Sequence, residues 1–392
     1  MLFEHPPTLG QTPKEVVSEQ SIVGLVPALA LSEPIQIDRF TLTPISRLGD
    51  LDVSQWTADR FREIANDYVK RRNAPSALGV LVEDSAEPTY DLARHALNLV
   101  AFACCARGRL NSHSSGGMWV CFPEFFHLSP MRVHGQGKFV SSTARHAGLS
   151  PDLKHFNYFW PVDTYPEGVA VDKTLLACFS QLVSKLAKRP SQMQLSAARA
   201  VGSAVSAMEA YNDLVPGYEY DARRHQLLVS AFETLLRGTR DQWTKKETID
   251  YVDDLGFLNR ELSKKTKSIS VGKKKGRRKR KSTSRPGRLI HELYELRHSF
   301  SHGLRFTSRR FHVNGDPSKV GLLDPALVVF RQSVLATLDP GFYDNLRLVK
   351  GASLQTLARD RGVDLDEYLR RCALVRLEEQ YERKLSEHLG IQ

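Results

Sequence analysis

The residues best suited to chemistry are Arg297-His298-Ser299-Phe300-Ser301-His302, followed by Gly303. An imidazole titrates near neutral pH, so a His can take the proton of a ribose 2′-hydroxyl or return one to a leaving oxygen. A guanidinium pairs with a phosphate through two donors and offsets the charge that builds on it. RNA carries its own nucleophile. These side chains therefore suffice for cleavage to a 2′,3′-cyclic phosphate and a 5′-hydroxyl by a route that needs no metal. In that reading Arg297 binds the scissile phosphate, His302 is the acid or base, and His298 assists. Bland roles compete with each assignment. His302 can serve the exposed carbonyls of a helix C-terminus, and Arg297 can bridge to Glu233 or Glu295. His298 and His302, at i and i+4, would also suit a metal, but nothing nearby has the spacing of a third ligand. No metal site and no cofactor are expected.

These side chains need a helix to hold them. Leu289, Leu293, Leu296 and Phe300 step by four, three and four, an apolar stripe that faces a helical core. The predicted helix runs from about Arg288 to His302, with Gly303 as its C-cap. A step of five residues turns about 140° around an ideal helix. Arg297 and His302 thus project apart unless the last turn unwinds near Gly303, whereas His298 and His302 share a face.

This segment resembles the HEPN superfamily, and its Apea-like branch in particular, through Arg-x4-His near the end of a core helix. The upstream Leu227-Leu228-Val229-Ser230-Ala231-Phe232-Glu233-Thr234-Leu235-Leu236 is similar to the family's early helix, with an acid before a paired leucine. Arg331 sits where the branch often carries an Arg. The likeness spans roughly residues 192–340. It implies a helical bundle that pairs as a homodimer, both motifs lining one cleft, and a metal-independent endoribonuclease of a microbial toxin or antiviral defence system. Glu233 would support Arg297. Some members extend the motif to Arg-x4-His-x-Tyr. Leu304 stands at that last position here, so regulation through that Tyr is not expected. A non-catalytic dimerisation or sensor scaffold is the alternative.

Charge adds a second feature. The formal net charge is +11, yet thirteen Lys or Arg and no Asp or Glu lie between Lys264 and Arg288. Without that ribbon the chain is near neutral. A concentrated ribbon favours polyanion contact at one place. Lys273, Lys274, Lys275, Arg277, Arg278, Lys279, Arg280 and Lys281 are the candidate nucleic-acid ligands. With no aromatic residue interleaved they would not stack bases, and binding would be indifferent to sequence. Residues 264–288 read as a solvated, disordered loop. A loop without a dedicated partner and a nuclear-localisation signal have the same composition.

At 392 residues the chain has room for two or three domains. Residues 1–36 read as a loose lead-in. Residues 37–170 read as an α+β domain, with strands at Ile37–Ile45, Ser76–Val82, Met118–Phe122 and Met131–Val140 and helices at Trp56–Arg71 and Asp91–Arg107. Its expected role is to sense a trigger or restrain the nuclease. Residues 171–340 read as the all-α, HEPN-like bundle. Residues 341–392 read as a helical C-terminal extension that packs on the bundle or supports a dimer, with a helix-turn-helix at Leu357–Val363 and Leu365–Arg371 as the alternative. No run approaches the roughly 18–20 apolar residues of a membrane helix, and Ser21–Leu31 makes a poor signal peptide. Five cysteines without a CxxC, and loosely scattered His113, His127 and His134, fit a reduced, cytoplasmic setting better than a zinc site.

Overall fold

The computed structural model describes residues 20–31, 33–53, 78–85, 89–112, 123–126, 128–134, 138–141, 171–208, 218–237, 243–274, 277–304, 307–342 and 364–391, with 58–59, 61–63, 346, 356, 359 and 362. An N-terminal mixed β/α region is followed by a mostly helical C-terminal region. The expected strand at 118–122, most of the helix at 56–71, and most of 357–363 lie outside the described residues.

Six antiparallel strands form the sheet, in the order β2-β3-β4-β1-β5-β6. They are β1 (Ser21–Ala30), β2 (Ile35–Ile37), β3 (Phe40–Pro44), β4 (Leu78–Glu83), β5 (Ser129–His134) and β6 (Lys138–Ser141). This corrects the loose lead-in. Residues 21–30 are a central strand, paired with β4 on one side and β5 on the other. Ile22, Val23, Leu25, Val26 and Leu29 are all buried, and a strand covered on both faces loses the alternation that marks a half-exposed one. The single strands expected at 37–45 and 131–140 are also revised. The first starts inside β2 and turns at Asp38, whose φ is +51°, and the second is the β5–β6 hairpin.

The helices are α1 (Tyr90–Ser112), α2 (Lys173–Leu186), α3 (Gln192–Met208), α4 (Tyr218–Arg237), α5 (Lys245–Asp254), the single turn α6 (Arg260–Ser263), α7 (Arg285–Ser301), α8 (Leu323–Leu338) and α9 (Leu365–His388). One core runs through sheet and helices alike. Phe102 of α1 packs edge-on against Phe330 of α8 at 5.7 Å, and Phe330 meets Phe232 of α4 at 5.1 Å. Helix α8 is buried on nearly all sides, as a helix at the centre of a core must be.

Arg331 sits in the middle of α8 with no exposed surface. Its Nε donates to Asp172 Oδ2 at 2.8 Å and its Nη1 to Glu378 Oε1 at 2.7 Å. Tyr381 also donates to Asp172, at 2.8 Å, and lies flat against the guanidinium at 3.6 Å. Asp172 is in turn the N-cap of α2, accepting from the backbone N–H of Thr174 and Leu175. The C-terminal helix α9 is thus part of the core. Its Glu382 accepts from the N–H groups of Leu258 and Asn259, and Arg285 donates to the carbonyls of Leu389 and Gly390. Residues 365–371 form its first turns rather than a short recognition helix.

The basic ribbon is also corrected. It is an antiparallel hairpin, β7 (Lys267–Lys274) and β8 (Arg277–Thr283), and α7 begins at Arg285 within the segment read as disordered. Ile269 and Thr283 bury one face of its base. Lys281 reaches Asp250 and Asp253 of α5.

Removing one partner from a buried ion pair strands the others, at a cost of about 3–5 kcal/mol. Arg331→Ala should therefore lower unfolding stability by about that amount in chemical denaturation. A Cβ at Gly287 would lie 2.2 Å from both Asp253 Oδ1 and Thr283 Oγ1. Gly287→Ala should cost about 1–3 kcal/mol in the same measurement.

Candidate functional site

Helix α7 is held at its start, its middle and its end. At the start, Asp253 accepts from Thr283 Oγ1 at 2.8 Å and from the Ser284 N–H and Oγ at 2.9 and 2.7 Å. Ser284 is the N-cap and accepts from the Gly287 N–H at 3.0 Å, with Pro286 in the first turn. Along the middle, Leu289, Leu293 and Leu296 are buried as the stripe predicts. Tyr294 shares a 2.9 Å hydrogen bond with Thr248 of α5, and burial pushes its hydroxyl pKa well up. At the end, the Leu304 N–H donates to the Ser299 carbonyl at 2.9 Å and the Gly303 N–H to the Phe300 carbonyl at 3.1 Å. With Gly303 at φ +62°, this is a Schellman cap. The cap keeps the helix wound through Ser301 and leaves His302 as the capping residue.

The cap decides the geometry of the candidate residues. No unwinding brings Arg297 round to His302. Arg297 instead donates through Nη1 to Glu233 Oε1 of α4 at 2.6 Å, with the Arg side chain 32% and the Glu side chain 14% exposed. His298 and His302 are exposed on the neighbouring face, their rings 4.3 Å apart. Glu295, the other acid open to Arg297 by sequence, pairs with Lys245. His291 lies one further step back, at i−7 from His298. Burial, then the Lys245 charge, lowers its pKa. Among the described residues no group of three or more His, Cys, Asp or Glu is placed to hold a metal ion.

Arg331 is far from solvent in its own ion network, so it takes no part in this surface. Of the ribbon, Arg280 is exposed and Lys281 is engaged with Asp250 and Asp253. Lys273, Lys274, Arg277, Arg278 and Lys279 occupy strand positions, and Lys275 lies outside the described residues. The scattered cysteines and histidines of the N-terminal region form no described cluster, and Cys104 and Cys105 are buried.

No family model, curated protein or solved structure matches this chain.

Two groups beside α7 escaped the sequence reading. Arg310, in a 3₁₀ turn at Ser308–Phe311, donates to the Ser299 hydroxyl, and that hydroxyl donates to the Glu295 carbonyl at 2.9 Å. The Arg309-Arg310 pair shortly after the motif was its only signal. His225 of α4 is 4% exposed and packs edge-on against Phe311 at 5.5 Å. Its Nδ1–H donates to the Asp221 carbonyl at 2.5 Å. Phe311 joins Ala222, Leu296 and Phe300 in the small apolar cluster beneath the end of α7.

Burial pushes the His225 imidazole down to about 4, the Asp221 bond offsetting only part of it. An unfolded His titrates near 6.5. Between these values the unfolded chain binds a proton that the folded chain does not, so stability rises with pH across the window and is lost as pH falls from about 6.5 toward 4. The contribution amounts to about 3 kcal/mol. His225→Phe should flatten the denaturation midpoint between pH 4 and 6.5, measured against the parent protein.

Proposed function

We propose that this protein is a metal-independent endoribonuclease whose site is built on the C-terminal turn of α7. The observation that carries the reading is the exposed His298–His302 pair, rings 4.3 Å apart, beside an Arg297 oriented by Glu233. One imidazole takes the 2′-hydroxyl proton. The freed oxygen attacks phosphorus, the bond to O5′ breaks, and a second imidazole protonates O5′. Arg297 offsets the charge that grows on the phosphate.

The geometry of a single chain favours a paired site. His298 and His302 share one face of one wound helix, so a base and an acid on opposite sides of a phosphate come most simply from two copies. In this proposal the helices form a HEPN-type bundle that pairs as a homodimer, with His302 of one copy as base and that of the second as acid. The protein would act in the cytoplasm as part of a microbial defence or toxin system. The sheet region would receive the trigger, and the basic hairpin would raise the local RNA concentration.

One observation favours a second reading. The Arg297–Glu233 pair satisfies the guanidinium within the chain, which suits a non-catalytic dimerisation or sensor scaffold carrying a nucleic-acid anchor.

A cleavage assay on total RNA in chelator separates the two. The parent should produce 2′,3′-cyclic phosphate and 5′-hydroxyl ends, and His302→Ala should reduce the rate by about 10²–10⁴ while leaving RNA affinity nearly intact. Cleavage by His302→Ala at the parental rate would remove the site from the chemistry. Purified homodimer that makes no cyclic-phosphate ends under any ionic condition would leave the scaffold reading in place.

A further inference from the structure

The β7–β8 hairpin concentrates cations and contains no acid of its own. Its register sets Lys273 opposite Arg278 and Lys274 opposite Arg277. Like charges at directly opposed positions weaken an antiparallel ladder, and here two such pairs follow one another. The base is different. Lys281 is met by Asp250 and Asp253, Lys265 by Asp254, and Lys264 by Glu261. The segment itself supplies no acid from Lys264 to Arg288. The hairpin is thus clamped at its root by carboxylates from α5 and α6 and loaded with cations toward its turn. A polyanion laid along the two strands offsets the repulsion between those opposed positions.

The form of the ribbon selects among polyanions. We propose that the hairpin seats on double-stranded RNA, along the two phosphate rows that border the major groove. Strands about 4.8 Å apart, rising about 3.4 Å per residue, make a stiff two-railed arm roughly 25 Å long. An A-form duplex draws its phosphate rows together across a deep, narrow major groove, whereas the B-form groove is about 12 Å wide. Closely spaced cationic rails bridge the two rows of the former from outside, whereas a two-stranded ribbon would sink into the latter. Single-strand binders rely on aromatic side chains that stack on unpaired bases, and residues 264–288 contain no aromatic residue. They contain no Asn, Gln, Asp or Glu either, and the deep, narrow groove of an A-form duplex keeps Lys and Arg from the base edges, so contact is with phosphate. Ser268, Ser270 and Ser282, exposed with Arg280 near the base of the ladder, add short hydroxyl donors of the kind that bind phosphate oxygens. The choice of RNA over DNA rests in part on the ribonuclease reading, whereas the preference for a duplex rests on the hairpin alone.

The test uses full-length protein carrying His302→Ala, so that binding is read without cleavage. Fluorescence anisotropy compares a 20-base-pair RNA duplex, one of its strands in unpaired form, and the DNA duplex of the same sequence. The RNA duplex should bind at least tenfold more tightly than either. Replacing Lys273, Lys274, Arg277 and Arg278 by Gln should weaken duplex binding at least tenfold and make the plot of log affinity against log salt shallower by about 3–4. Arg277→Lys with Arg278→Lys, which keeps the charge, should retain the preference. Equal or tighter binding of the single strand, or an unchanged affinity after neutralisation, overturns the proposal. Tighter binding of the DNA duplex overturns the choice of RNA. Failure of the ribonuclease reading shows in the cleavage assay and leaves this duplex comparison unaffected.

Discussion

A guanidinium without access to water governs the interior. Arg331 cannot lose its proton, and a buried, permanently charged group must find carboxylates or unfold its surroundings. It finds two. Burial alone would raise Asp172, but the Arg331 charge, the bonds from Arg331 and Tyr381 and the Leu175 N–H more than offset it, and this carboxyl stays below its usual value. At Glu378 burial wins over the same guanidinium, and the carboxyl is pushed up. Asp172 is simultaneously the cap of α2 and Glu378 lies in the middle of α9, so one cation ties both helices to α8.

The candidate site inherits its position from that frame. Helix α7 packs against α4 and α5, and its start is closed onto Asp253 so tightly that a methyl group at Gly287 has no room. Its other end projects as a finished turn. Ordinary helix energetics explain why His298 and His302 meet in the open while Arg297 turns inward to Glu233. The Schellman bonds satisfy the last carbonyls, leaving no reason for the turn to unravel.

What the sequence disclosed follows from which signals are local. The four-three-four stripe of Leu289, Leu293, Leu296 and Phe300 placed α7 to within three residues at its start, and the choice of Glu233 or Glu295 as partner for Arg297 contained the pair that forms. Local signals failed in four places, each for a physical reason. β1 is apolar on both faces because both are buried, Leu25 on one and Val26 on the other, so its pattern resembled an orphan apolar run. In β7, the period of two in Ser268, Ile269, Ser270 and Val271 was overshadowed by the charge around it, and the acids that anchor it come from α5 and α6. Arg331 gave no hint of burial, since its partners stand 159 residues before it and 47 after it. The C-terminal helix looked like an appendage for the same reason, its contacts with 172, 258–259 and 331 being remote in the chain.

That remoteness gives the chain an order of assembly. Arg331 precedes Glu378 in the chain by 47 residues, and Tyr381 closes onto an aspartate 209 residues earlier. Loops of this length are slow to close. The centre is complete only when α9 has docked, because one of the two carboxylates that answer Arg331 is carried on that helix. A surface on α7 that depends on the same packed helices reaches its final form only after the far end of the chain has docked.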